Sequence, residues 1–437
     1  MLARITSVER PMRRHVLAAA VLALPVGAAI AQQSAQQQQV SPPKAQAWID
    51  VATFSGMGMP AGMGGMGGMG GGAGGANPMA MLGNLLGGGA AKNSFGGTKV
   101  MAPGRWVDVT LRGTTSLAEA TLNVPSGFMS PPLKLVSPQA APAQPVPDNE
   151  PDDKIVEPQV ERPRGKISMY WGCGAQVRAG QPRVLDFATL APADVQRFFV
   201  ARSATGRGAH ATPGRPLWPN ANDPRMVPAQ GGLAGEHQVV GAGIDNFRFQ
   251  IPAAQDLMPA LEMKQQEVAG STQLAWNPVP AARAYFAAAM GAGGSEEMVI
   301  WTSSELPETG FALFDYQGNA AIDGWLREKV LMAPATTSCT VPAGIFGSGG
   351  GAMLRLIAYG SELNLAHPPR PSDPKVRWEP DWAVKVRVKS VAQGMLGMPM
   401  AGLPGRGGQE GGERAADAPP EEKKPGALQI LRGILGR

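Results

Sequence analysis

Arg105-Trp106-Val107-Asp108-Val109-Thr110-Leu111 sorts its side chains by twos: Val107, Val109 and Leu111 fall on one face of an extended chain, Trp106, Asp108 and Thr110 on the other. A period of two is the mark of a half-buried strand, because successive Cβ atoms of a pleated strand point to opposite sides. Trp382-Ala383-Val384-Lys385-Val386-Arg387-Val388-Lys389 repeats the pattern more strongly, with valines on one face and cations on the other. So one-sided a strand is expected at a sheet edge or on an open face. Outward from these two stretches, residues 47–54 read as a strand through Trp48, Ile49, Val51 and Phe54, with Asp50 and Thr53 between them. Short strands are also expected at 121–124, 133–136, 184–187 and 247–251. Residues 192–201 suit one short helix, and 203–235 read as loop from their Gly, Pro and Asn content. The fold class is mainly β.

Composition marks where the ordered regions stop. The chain has 58 glycines and 41 prolines among 437 residues, and the excess is local. Residues 55–98 are almost wholly Gly, Met and Ala with some Asn and Pro. Glycine loses more freedom on folding than any other residue, so this tract reads as a disordered insertion between two strands that pair. Residues 137–165 combine seven prolines with Asp148, Glu150, Asp152, Asp153, Glu157 and Glu161, an extended and solvated Pro-rich acidic linker. The expected organisation is multi-domain and β-sandwich-like. A Gln-rich spacer at 32–44 leads to an N-terminal β region at 45–136 and then the linker. A middle β region at 166–264, a β segment at 265–365 and a terminal strand region at 366–392 follow. The chain ends in a disordered tail at 393–437.

Leu274-Ala275-Trp276-Asn277-Pro278-Val279-Pro280-Ala281-Ala282-Arg283-Ala284-Tyr285 resembles the B-to-C strand region of fibronectin type III-like domains. The resemblance covers residues 265–365 and implies a β-sandwich. In it Trp276 lies in the core, the prolines turn the chain, and Tyr285 opens the next strand. Strand-like segments at 298–301, 338–341 and 353–359 follow with turn residues between them, as a sandwich requires. The closing strand of that family has no obvious counterpart within the span. Such folds serve binding and spacing more often than catalysis, an expectation from fold analogy.

The N-terminus reads as an export signal. Arg13, Arg14 and His15 precede an uncharged run, 16–31, that ends in Ala29-Ile30-Ala31, so cleavage is expected between Ala31 and Gln32. A membrane anchor needs roughly 20 apolar residues, whereas this run is shorter and broken by Pro25. Arg13-Arg14-His15-Val16-Leu17 also fits a twin-arginine signal loosely. No later stretch suits a transmembrane helix, which makes the mature protein periplasmic or secreted. The leader carries Arg4, Arg10, Arg13 and Arg14 against Glu9, so of the net charge of +5 only +2 remains after cleavage. That is too little, and too spread, for a nucleic-acid partner.

Chemistry-bearing motifs are sparse. Gly62, Gly64 and Gly67 match a dinucleotide fingerprint as a string, but no strand and helix flank them, so no cofactor is implied. His210, His237 and His367 lie in or beside Gly/Pro-rich stretches and read as solvated histidines. Cys173 and Cys339 are the only cysteines, and in an oxidising compartment such a pair tends to bridge. Methionine is the one suggestive residue. Met57, Met59, Met63, Met66 and Met69 recur through the glycine tract, and Met395, Met398 and Met400 repeat the theme near the C-terminus. Thioethers are soft ligands that favour Cu(I). At 427–437, Leu428, Leu431 and Leu435 would share one helical stripe with Arg432 and Arg437 toward its end, a segment for peripheral contact with a membrane face or partner groove.

These features point to an exported cell-envelope protein with a non-catalytic binding or structural role toward an envelope protein or polymer. Two alternatives stand beside it. One is Cu(I) handling through the methionine tracts; the other is an enzyme whose active site is assembled from scattered residues.

Overall fold

The structure, a computed structural model, describes residues 38–56, 102–130, 132–139, 165–189, 191–199, 208–294, 296–347 and 351–396, with Thr98 and Arg202. The leader with Ala31 and Gln32, nearly all of the Gly/Met insertion, most of the linker, and the tail from 397 through 437 lie outside the described residues.

Seventeen strands follow in chain order among the described residues: β1 Ala45–Gly56, β2 Gly104–Arg112, β3 Glu119–Asn123, β4 Leu133–Val136, β5 Lys166–Trp171, β6 Arg183–Asp186, β7 Leu217–Trp218, β8 Gly235–Val240, β9 Phe247–Ile251, β10 Met263–Val268, β11 Ser271–Trp276, β12 Ala284–Gly294, β13 Glu297–Thr302, β14 Ser338–Val341, β15 Met353–Tyr359, β16 Leu363–His367 and β17 Trp382–Met395. Two α-helices accompany them, α1 Pro192–Phe198 and α2 Asn319–Arg327. The protein is mainly β, as its alternation demands. Its strands form a 14-stranded sheet in the order β6-β5-β13-β12-β15-β17-β1-β2-β7-β4-β3-β8-β9, with β16 on β17, and a three-stranded sheet β10-β11-β14. Strands from 45–136, 166–264, 265–365 and 366–392 thus share one hydrogen-bonded path.

The valine-and-cation strand is not at an edge or on an open face, which corrects the expectation from its pattern. β17 lies in the middle of the large sheet, parallel to β1 from Ala45↔Trp382 to Gly56↔Gln393. Its other side is shared end to end by β15 and β16, both antiparallel to it. Arg387 and Lys389 stay buried there because a carboxylate on β1, an aromatic ring and a backbone carbonyl meet them, while Lys385, nearer the strand's start, stays partly exposed and pairs with Glu362. β1 also pairs antiparallel with β2, from Gln46↔Arg112 to Phe54↔Gly104, so the Gly/Met insertion joins two directly paired strands.

Period two then sorts the core. Ile49, Val51, Val107, Val109, Leu111, Leu354, Leu356, Val384, Val386 and Val388 face one way, into the main core. Leu274, Trp276 and Cys339 of the small sheet meet them there, with Leu122, Leu133, Val239 and Phe247 from the far end of the large one. Trp276 and Tyr285 face each other between the two sheets, ring centroids 5.5 Å apart, and the Tyr285 hydroxyl accepts the Val279 N–H at 2.8 Å. The opposite face of β1, β12, β15 and β17 buries Ala52, Phe54, Phe286, Ile357, Tyr359 and Val391 under Leu313, Ile322, Val330 and Leu331. Ile322 belongs to α2, so this short helix serves as a lid on the second face. Gly310 turns the chain into that lid at φ +81°, and a Cβ there would lie 3.0 Å from the Phe286 ring.

His237 is a second correction. It is fully buried rather than solvated, because it alternates with Val239 on β8 and both point inward.

Candidate functional site

Three strands assemble the most charged place in the interior. On β1 the carboxylate of Asp50 stands between Arg387 on one neighbour and Asp108 on the other, at matching register. Arg387 donates through Nε to Asp50 Oδ1 and through Nη2 to Oδ2, each at 2.7 Å. The Ala209 N–H adds a bond to Asp50 Oδ2 at 3.2 Å. Thr98 reaches Asp108 Oδ2 with its hydroxyl at 2.6 Å and its N–H at 3.2 Å. The Tyr316 ring lies 4.7 Å from the Arg387 guanidinium and 4.3 Å from Lys389 Nζ, and that ammonium donates to the Phe314 carbonyl at 3.1 Å.

The electrostatics follow from burial. Removal from water disfavours the charge on Arg387, but contact and hydrogen bonds with Asp50 outweigh it, so its pKa is raised. Burial, followed by the carboxylates of Asp50 and Asp108, lifts the Tyr316 phenol well above its usual value. Asp50, Asp108, Arg387 and Lys389 are 1–3% exposed, so no substrate reaches them from solvent. What this arrangement does is clamp. It fastens β1, β2 and β17 to Thr98 at the end of the insertion, to Ala209, and to the turn that carries Phe314 and Tyr316.

Two shallow clefts on the surface are lined by charged side chains among the described residues. One, of about 520 Å³, lies along β6 and α1 and mixes Arg183 and Arg197 with Asp186 and Asp194. The other, of about 460 Å³, holds Lys134, Asn220, Asp223 and Arg225. There Arg225 grips Asp223 at 2.6 and 2.7 Å and, helped by the Trp218 indole, holds its carboxyl down at about 2. In the first cleft Arg197 meets Asp194 at 4.0 Å, Arg183 donates to the Arg197 carbonyl at 2.9 Å, and Asp186 accepts the Ala188 N–H at 2.9 Å. Among the described residues no group of three or more His, Cys, Asp and Glu side chains is placed to hold a metal ion, and no helix is long and apolar enough to cross a membrane.

Cys173 and Cys339 are joined by a disulfide, with Cα atoms 5.1 Å apart. Cys339 is on β14 of the small sheet and Cys173 follows β5 of the large one, so the bond pins the two sheets together. The Gly174 N–H donates to the Thr340 carbonyl at 2.9 Å beside it. Met57, Met59, Met63, Met66, Met69, Met398 and Met400 lie outside the described residues, while Met395 ends β17. Because β1 and β17 are parallel, with Gly56 opposite Gln393, the chain leaves the sheet toward both methionine tracts from adjacent strand ends. Sequence reading missed this juxtaposition, since parallel pairing between strands at the two extremes of the chain leaves no local signal. Neither a protein-family model nor a curated protein sequence matches this chain.

Proposed function

We propose that this is an exported cell-envelope protein with a non-catalytic binding or structural role, built on a fibronectin type III-like sandwich that runs past residue 365 to the end of β17. Strand order carries this reading. Immunoglobulin-type sandwiches set strands A, B and E in one sheet against C, F and G in the other, and a C′ strand, where present, extends the second sheet. Here β10-β11-β14 stands opposite β13-β12-β15-β17, and each strand takes the matching place in chain order. The closing strand missing from 265–365 is then Trp382–Met395, displaced downstream by β16 and the loop after it. β1 and β2 continue the sheet beyond that last strand, so the sandwich and the N-terminal β region share β17 as a common wall. The disulfide supports an oxidising compartment. The role is tested in two steps. Protein from the periplasmic or secreted fraction should begin at Gln32, show no free thiol when denatured unreduced, and co-sediment with isolated cell-wall polymer or envelope membranes. A chain that keeps residues 1–31 with two free thiols, or one that sediments with neither fraction, contradicts the proposal.

The adjacent exits of the two methionine tracts favour a second reading, Cu(I) handling in the same compartment. Anaerobic titration with Cu(I) tests it. The mature protein should take up the ion in competition with a chromophoric chelator, and no uptake rules the reading out.

A further inference from the structure

At the level where β17 ends, one register row crosses three strands. Met290 on β12 is opposite Met353 on β15, and Met353 is opposite Met395 on β17. Directly opposed residues of antiparallel strands project to the same face, within reach of long side chains. Neighbouring strands lie about 4.8 Å apart, so the three methionines make one row about 10 Å across. It lies on the second face, where Met290 packs against the cluster of Ile167, Met169 and Ile300. All three methionines are half-buried, unlike the fully buried side chains deeper on the same strands. The Met395 methyl leans over Gly351, where a Cβ would come within 2.6 Å of it, so the absent side chain makes room for the thioether. One step deeper on that face the row reads Ala288, Arg355 and Gln393, with no carboxylate or imidazole.

We propose that Met290, Met353 and Met395 form a binding site for a soft monovalent cation, Cu(I). Thioether sulfur is a soft, uncharged donor that selects Cu(I) over hard divalent ions. Three strands of one sheet fix the three backbones, and the unbranched, flexible side chains can bring their sulfurs together on one ion without reordering the fold. The proposal deepens the Cu(I)-handling reading and rests on it. It places a fixed site at the end of the sheet from which both methionine tracts depart.

The test uses the full mature protein, disulfide intact, titrated anaerobically with Cu(I) supplied as its bicinchoninate complex. Leucine keeps the volume and apolarity of methionine, so Met→Leu variants preserve the fold. The triple variant Met290→Leu, Met353→Leu, Met395→Leu should lose one Cu(I). A full-length chain with leucine at the tract methionines between 57 and 69 and at 398 and 400 should keep that one. Met353→Leu alone, at the centre of the row, should weaken the site about tenfold or more, and it carries the test if the triple variant melts early. A triple variant that retains every Cu(I) of the parent overturns the site while leaving the tract reading standing. No uptake by any chain overturns both.

Discussion

Asp50 and Arg387 are 337 residues apart in sequence and hold each other by two hydrogen bonds in the centre of the sheet. A buried ion pair stabilises little against an apolar replacement, but breaking it leaves a stranded charge. Asp50→Ala should therefore cost about 3–5 kcal/mol, whereas Asp50→Leu combined with Arg387→Met should fall near neutrality or above. Chemical denaturation of the two variants separates these outcomes, and equal losses would mean that the clamp is not an ion pair in the folded protein. His237 gives the matching prediction for pH. It stacks on Phe249 at 5.2 Å, donates its Nδ1–H to the Gly235 carbonyl at 3.1 Å, and buries Nε2 without a hydrogen-bond partner among the described residues. Burial pushes its pKa from 6.5 down to about 4. The unfolded chain therefore binds the proton first as pH falls, and stability complete above pH 6.5 is lost between 6.5 and 4, by about 3 kcal/mol in all. His237→Phe should flatten that slope in urea melts taken across the range; an unchanged slope would assign the pH dependence elsewhere. Neither burial was legible beforehand. The alternation of Val386, Arg387 and Val388 announces a strand, but whether its cations meet water depends on a carboxylate at the other end of the chain.

Among the elements, local pattern carried the strands that alternate and failed on those that do not. β4, β9, β14 and β15 fall where alternation and turn residues place them. β10 reads Met-Lys-Gln-Gln-Glu-Val, a polar edge strand with Met263 its one buried residue, and offers no apolar rhythm. α2 does carry a stripe, Ile322 with Trp325 and Leu326 three and four residues on, all packed on the second face, but the helix spans only nine residues and includes Gly324, so the pattern is too short to announce itself. The Trp276–Tyr285 pair was legible because a short motif carries it, and the structure puts both rings in the core between the sheets. Trp276→Ala should cost about 3–5 kcal/mol, read as a fall in the denaturation midpoint; a loss below about 1 kcal/mol would mean that the two sheets do not depend on this contact. The disulfide is the other tie between them. It closes a separation of 166 residues, and on the chain-entropy relation its removal in Cys173→Ser with Cys339→Ser should cost up to about 5 kcal/mol. Thermal melts of that variant against the reduced parent should agree, and a difference would mean that the serines disturb the packing around Met332 and Thr340.

On the scale of the whole molecule, one strand pair organises everything else. β1 comes from the start of the described chain and β17 from its end, and their parallel pairing joins the sandwich side of the sheet to the N-terminal side. It also sends the chain toward both methionine tracts from one end and buries the Asp50–Arg387 clamp at its middle. Sequence alone could name both strands but not pair them, because nothing local in either records its partner. Amide hydrogen exchange of the mature protein tests this most directly, since amides bonded on both sides of a central strand open only with the whole fold. Residues 45–56 and 382–395 should exchange together and slowest, at the rate set by global unfolding. Fast exchange of 382–395 while the rest of the sheet stays protected would place that strand at an edge and contradict the account.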